Sequence, residues 1–178
     1  MAHARLFAAA ALAALIAGCQ AIPRDQTVAQ YCAAENHQND GVCRLKVEID
    51  GQSVALYNLH MFQPWPARSM AARRAQLAGL FQRLDRETLP CIIAGDFNAT
   101  PTSPTMAALA ERNLADAWDQ AGWGLGATWP DRFMVRRFPG IRIDHVYMSS
   151  SLTCTACTVG KGKGSDHRPI VAQLGFAK

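Results

Sequence analysis

Charge is scarce in this chain and nearly balanced. Eighteen basic and 14 acidic residues among 178 leave a formal net charge of +4. That excess is too small to mark a nucleic-acid binder on charge alone. No internal repeat is present, and no Pro- or Gly-rich linker divides the chain, so its length favours one domain. Beyond Gly18 no apolar run is long enough to span a bilayer. A second CxxC is missing, so the single Cys154-Thr155-Ala156-Cys157 does not make a zinc site. What the chain does have is an ordinary apolar fraction, 49%. That excludes wholesale disorder, collagen and a simple coiled coil.

The N-terminus differs from the rest. Arg5 precedes a thirteen-residue apolar run, Leu6 to Gly18. This length suits the hydrophobic region of a signal peptide and is short for a membrane span. Leu15-Ile16-Ala17-Gly18-Cys19 resembles a bacterial lipobox. The resemblance implies cleavage before Cys19, a lipid on the Cys19 thiol, and anchoring by buried CH₂ groups. Gln20 in place of Asp points to the outer membrane, facing the periplasm. Removing those eighteen residues would leave 160 of the 178 and, with Arg5 gone, a net charge of +3. The expected organisation is a signal peptide over 1–18, a tether over 19–41 with a short helix near Val28–Ala34, and a folded domain over 42–178.

Cys19 set aside, five cysteines remain: Cys32, Cys43, Cys91, Cys154 and Cys157. A cell-envelope compartment permits disulfides. The odd count leaves at least one thiol free or paired between chains. Leu152–Val159 reads as a strand, in which Cys154 and Cys157 would lie on opposite faces, roughly 10 Å apart. Disulfide geometry reaches only about 7 Å.

Alternation defines the first element. Cys43, Leu45, Val47 and Ile49 face one way, and Arg44, Lys46 and Glu48 the other, as in a half-buried strand. Asp50-Gly51 is a hairpin turn, and Ser53–His60 the returning strand. Pro64-Trp65-Pro66 ends it. Helical spacing over Ala67–Asp85 places Met70, Leu77, Leu80, Phe81 and Leu84 on one stripe, with Arg68, Arg73, Arg74 and Arg83 outside it as a solvated face. Pro90–Ala94 is a short strand apolar on both faces, and Ser103 is a plausible N-cap for a helix over Ser103–Arg112. Leu114–Trp118 is a short segment. Three more strands follow, Ile141–Met148, Leu152–Val159 and Arg168–Leu174. The loop Gly160–Gly164 carries Lys161 and Lys163.

Polar groups recur at the ends of these strands: Asn58 and His60, Asp96 and Asn98, Asp144 and His145, Asp166 and His167. One such residue is ordinarily a turn or cap. Four groups in order across the chain point to a site. Tyr57-Asn58-Leu59-His60, Ala94-Gly95-Asp96-Phe97-Asn98, Arg142-Ile143-Asp144-His145 and Ser165-Asp166-His167-Arg168-Pro169 resemble the later motifs of the endonuclease/exonuclease/phosphatase superfamily, over Val42 to Phe176. The resemblance implies a deoxyribonuclease I-like α/β fold, a two-sheet sandwich flanked by helices. It also implies metal-dependent hydrolysis of a phosphate ester by in-line attack of water, a reaction that rests on positioning and charge stabilisation.

Carried over residue by residue, Asp96 would orient the attacking water and Asn98 hold that water or a phosphate oxygen. His167 would contact the scissile phosphate, with Asp144 setting its tautomer and charge. His60 would be a second phosphate-contacting or leaving-group histidine. Asp166, with Asp96 and Asn98, would offer oxygen to Mg²⁺ or Mn²⁺, a Lewis acid. His145 would be structural, and Asn58 would support the site. Lys161 and Lys163 would either form a solvated loop or attract the anionic substrate. Trp65 and Trp129 would line a substrate groove or serve ordinary packing. The expected partners are a phosphate-ester substrate (nucleic acid or a phospholipid head group) and the membrane reached through Cys19.

The family pattern has an earlier half, including a strand ending in Gln-Glu whose Glu is the principal metal ligand. Gln20–Gly41 is too short to hold it. Glu35 lacks a preceding apolar strand, and Glu48 lies away from every motif. The expectation is therefore a sandwich without its N-terminal half and with a weakened metal site. Three readings follow: a lipoprotein phosphodiesterase completed by another ligand or a second chain, an inactive remnant serving as an envelope binding lipoprotein, or the product of an internally deleted or misassigned gene.

Overall fold

The computed structural model describes residues 41–49, 51–131, 139–162 and 164–177. The expected signal, Cys19, the tether apart from Gly41, Asp50 and Lys163 lie outside these residues. The elements in chain order are β1 (Val42–Ile49), β2 (Gln52–His60), α1 (Ala67–Leu84), β3 (Cys91–Asp96), α2 (Pro104–Ala110), β4 (Leu114–Asp116), α3 (Ala117–Ala121), β5 (Asp144–Ser149), β6 (Leu152–Val159) and β7 (Ile170–Phe176).

Two sheets form. The larger has the order β1-β2-β3-β5-β4, and β6 pairs with β7 in the smaller. Only β2 and β3 run parallel, because α1 carries the chain across between them. The other pairs are antiparallel. Side chains alternate across a strand, so β2 feeds two cores. Val54 and Leu56 join Ile92, Ala94, Val146 and Met148 against Trp118 and the β6–β7 sheet. Ala55, Tyr57 and Leu59 join Ile93 and Tyr147 against Leu80 of α1 and Met106 and Leu109 of α2. The result is a layer of helices, a five-stranded sheet and a second small sheet, the expected α/β sandwich. Among the described residues no helix is long and apolar enough to cross a membrane.

Several boundaries differ from expectation, each for a local reason. β3 runs on through Asp96, because β2 and β5 flank it to that residue. β5 starts at Asp144; Ile141, expected within it, instead bridges Trp129. β7 begins at Ile170, two residues late, and ends at Phe176. Ser103 stands at the N-cap of α2, but its side chain makes no capping bond; Pro104 opens the helix with its preset φ. Leu114–Trp118 divides into β4 and the start of α3, where Asp116 accepts a hydrogen bond from the Trp118 amide at 2.9 Å.

The β6 strand corrects the cysteine geometry. Its register slips between Cys154, opposite Leu174, and Ala156, opposite Gln173. This bulge inserts one residue and offsets the alternation. Cys154 and Cys157 consequently both enter the same core rather than facing opposite ways. Both are free thiols, as is Cys91, and Cys43 is disulfide-bonded. Burial pushes the Cys157 thiol up to about 12, so it is an inert thiol at neutral pH.

Candidate active site

Strand register gathers the site. His60 lies beside Asp96 in the parallel β2–β3 pair, and Asp96 lies opposite Asp144 in the β3–β5 pair. Three strand ends thus deliver their polar residues to one edge of the large sheet. Gly95 permits the close approach: its φ is +146°, and a Cβ there would collide with the Leu59 backbone carbonyl. The loop before β7 brings Asp166 and His167 to the same edge. An open cleft of about 1360 Å³ is lined there by Asn58, His60, Asp96, Asn98, Asp166 and His167.

Asp96 and Asn98 are locked together. The Asn98 amide donates to Asp96 Oδ1 at 2.7 Å, and the Asn98 side-chain amide donates to Asp96 Oδ2 at 3.1 Å and to the Met61 carbonyl at 2.8 Å. Asn98 achieves this with a left-handed φ of 47°, which Asn tolerates better than most residues. Its side-chain oxygen is left to receive a donor or a cation. His60 Nε2 stands 3.5 Å from Asp96 Oδ2 and is exposed. Burial raises the Asp96 carboxyl above its ordinary range, and the neighbouring Asp144 charge adds to the effect.

His167 and Asp144 make the second pair. The His167 Nδ1–H donates to Asp144 Oδ2 at 2.8 Å. That fixes the tautomer and leaves Nε2 for a ligand. Burial opposes the imidazolium, but the Asp144 hydrogen bond and the Asp144, Asp96 and Asp166 charges outweigh it, so His167 is raised. Asp144 is fully buried, and its Oδ1 has no hydrogen-bond partner.

Other expected residues separate. Asp166 lies at the cleft, and its Oδ2 accepts from the Trp129 indole N–H at 3.3 Å. Trp65 and Trp129 both line the cleft. Lys161 is exposed and lies outside the cleft lining, so it is not brought to the site. His145 is buried; its Nε2 contacts the Ala99 carbonyl at 2.9 Å, and its Nδ1 lies 3.2 Å from Arg142 and 3.4 Å from Asp116. Its place matches the structural role expected for it.

Two contributors were misread or passed over. Arg73, which helical spacing places on a solvated face, is instead 7% exposed and lines the cleft. Gln76, one helical turn further, is 6% exposed. Their i, i+3 spacing was the available signal, because residues three apart share a face.

The donor set suits a hard divalent cation. Ligand atoms of Asp96, Asp144 and His167 lie within 4.8 Å of one another. His167 Nδ1 is taken by Asp144, which leaves carboxylate and amide oxygens, with His167 Nε2, as the donors. The unpartnered Asp144 Oδ1 and the raised Asp96 carboxyl both record uncompensated negative charge, which a cation would relieve. Among the described residues no Glu joins this group.

Comparison with known proteins places this geometry. The sequence pattern of the Endonuclease/Exonuclease/phosphatase family matches residues 12–167, starting earlier than the motifs alone indicated. No curated protein matches. Among solved structures, an endonuclease/exonuclease/phosphatase from Beutenbergia cavernae is similar with 25% identity and a TM-score of 0.65, over 76% of this chain and 39% of that one. A mannosyl-6-phosphatase from Bacteroides thetaiotaomicron has 24% identity and a TM-score of 0.55, over 76% and 56%. A Neisseria 3′ phosphatase bound to product DNA hairpin has 20% identity and a TM-score of 0.58, over 75% and 65%. The chain thus spans 39% to 65% of the length of these structures. The family match over most of its length, borne out by the same deoxyribonuclease I-like fold, shows that the chain belongs to the endonuclease/exonuclease/phosphatase family.

Proposed function

We propose that this protein hydrolyses a phosphate ester, with water attacking phosphorus in line. The observation that carries this reading is the His167–Asp144 pair set beside the Asp96–Asn98 pair, at one sheet edge and over an open cleft. His167 presents Nε2, with its proton held ready by the raised pKa, to an oxygen of the phosphoryl group. Asp96 accepts a proton from, or orients, the attacking water; its raised pKa brings it closer to working pH. Asn98 offers its side-chain oxygen to that water, because its side-chain N–H groups are held by Asp96 and the Met61 carbonyl. His60, exposed at the lip, faces the leaving group. Asn58 and Asp166 border the substrate.

Mg²⁺ or Mn²⁺ would be held by Asp96 and Asp144 oxygens with the Asn98 side-chain oxygen, and Asp166 nearby. When bound, it would supply Lewis-acid stabilisation of phosphate charge. The substrate class is nucleic acid or a phospholipid head group; the open cleft with Trp65 and Trp129 on its lining accepts more than a bare phosphate. The lipobox-like Leu15–Cys19 supports lipid anchoring in the bacterial outer membrane, facing the periplasm. Metabolic labelling with palmitate, lost in Cys19→Ser, is the expected result.

The test is hydrolysis of bis(p-nitrophenyl) phosphate with added Mg²⁺ or Mn²⁺. Activity that chelation abolishes, and that His167→Ala lowers at least 100-fold, is expected. A second reading has its own support, since no Glu completes the acidic group among the described residues. It makes the chain a non-catalytic envelope binding protein. A stable protein that binds phosphate esters without cleaving them would favour it.

A further inference from the structure

The strand ends that carry His60, Asp96 and Asn98 are not held by the sheet alone. Beyond His60 and Asp96 the sheet adds Met61 N–H to the Asp96 carbonyl and Phe97 N–H to the Ile143 carbonyl, both at 2.9 Å, and the remaining backbone groups there need other partners. One face of α1 supplies them. Gln76 Nε2 donates to the His60 carbonyl at 3.2 Å, and Gln76 Oε1 accepts from the Phe62 amide at 2.8 Å. Arg73 Nη1 donates to the Phe62 carbonyl at 2.7 Å and to the Phe97 carbonyl at 2.8 Å. Arg73 Nη2 reaches Thr105 Oγ1 of α2 at 3.4 Å. Two side chains three residues apart thus clasp the exit from β2 and the exit from β3. Phe97 lies between Asp96 and Asn98, and the Met61 carbonyl that receives the Asn98 side chain lies between His60 and Phe62.

The choice of residues is unusual. Arg73 is a buried cation whose direct bonds go to backbone carbonyls and Thr105; burial lowers its pKa, and the nearby Asp96 charge opposes that. Burying a charge on backbone carbonyls is expensive, and a neutral residue would fill the space at lower cost. What Arg offers is a rigid planar fork that holds two carbonyls at once, which the single ammonium of Lys cannot reproduce.

Building on the phosphoester-hydrolase reading, we infer that Arg73 and Gln76 are positioning residues, which set the separation of His60 from the Asp96–Asn98 pair by clasping both loop exits. They touch no reacting atom; they fix where the reacting groups stand. Errors near 1 Å in such placement cost on the order of 100-fold in rate.

The experiment uses the full chain with Arg73→Lys and Gln76→Leu, assayed on bis(p-nitrophenyl) phosphate well below the midpoint of thermal unfolding. Each variant is expected to lower kcat about 10- to 100-fold with KM within roughly 2-fold. Arg73→Lys keeps the charge, so its failure to restore kcat marks geometry rather than charge as the requirement. Variants that lower the melting temperature yet keep kcat within 2-fold overturn the inference, because that is what a merely structural role produces. Should the wild-type chain cleave nothing, the hydrolase reading falls and amide NMR decides the clasp. Shifts confined to 60–62 and 96–98 in Arg73→Lys uphold it, and unchanged amides there overturn it.

Discussion

Replacing Arg142 by Met removes the cation from a fully enclosed Arg–Asp pair. Arg142 Nη1 donates to Asp116 Oδ2 at 2.6 Å, and both side chains are 3% exposed. The guanidinium also lies 5.7 Å from the Trp118 ring and 3.2 Å from His145 Nδ1. Its second contact, to Asp119 at 3.4 Å, goes to a carboxylate 74% exposed and contributes little. With Arg142 gone, Asp116 keeps the Trp118 amide and His145 but stays buried and charged. Breaking a buried pair in this way costs about 3–5 kcal/mol. For a domain of this size each kcal/mol moves Tm by about 2–4 °C, so a fall of about 6–20 °C is expected in a calorimetric or circular-dichroism melt. Arg142→Met with Asp116→Asn should recover most of it, because no charge is then stranded and the Asn oxygen still caps α3. The pH response carries a sign. Burial pushes the Asp116 carboxyl up, but the His145 hydrogen bond and the Arg142 charge hold it below its ordinary value of 3.8. Its stabilisation is therefore complete above that value and is lost as pH falls through the lowered one. In Arg142→Met the acid limb of stability should move to higher pH. A loss under about 1 kcal/mol, or a double variant no better than the single, would refute the reasoning.

Three further outcomes are expected. Asp144→Asn replaces the carboxylate that holds His167 high, so the alkaline limb of the kcat/KM profile should move to lower pH and the rate fall by roughly 10²–10⁴. The sign for stability is parallel: the raised His167 contributes fully below its unfolded pKa, and the contribution is lost as pH rises through the native value. Gly95→Ala sets a Cβ against the Leu59 carbonyl from a φ only glycine adopts freely; melting should drop, and the His60–Asp96 pairing should shift in NMR spectra. Glu87→Gln weakens the acceptor that binds Arg44 Nε and Tyr57 Oη, both at 2.8 Å. Burial opposes the Glu87 charge, but those bonds hold its carboxyl down to about 2, so its stabilisation is present above the unfolded value and lost as pH falls towards 2. A cost of about 1–3 kcal/mol by urea titration is expected, with the Tyr57 phenol, now near 12, titrating lower.

The site was legible because its residues sit where strand periodicity stops. His60, Asp96 and Asp144 each follow or begin an apolar run, and a sheet brings such ends together by register: His60 pairs with Asp96, and Asp96 with Asp144. Which strands neighbour one another was not legible in the chain; the resemblance implied only that the four motifs meet at one site, and the order β1-β2-β3-β5-β4 supplies the rest. The features missed depend on contacts that periodicity does not encode. Arg73 and Gln76 look solvated on a helical wheel, because polar side chains are counted outward; only the stopped ladders at Phe62 and Phe97 show that polar groups are wanted on that face. Arg142 and Asp116 are 26 residues apart, and neither lies in an amphipathic run that would announce a buried pair. The bulge in β6 turned a two-face reading of Cys154 and Cys157 into a one-face arrangement, since one inserted residue shifts every later side chain. Lys161, exposed and outside the cleft lining, fits the solvated-loop reading of Gly160–Gly164 rather than the substrate-attracting one. For Arg73 and Gln76 it is the backbone groups at Phe62 and Phe97, rather than a side-chain pattern, that decide the structure, and those same groups are the ones that hold the reacting residues in place.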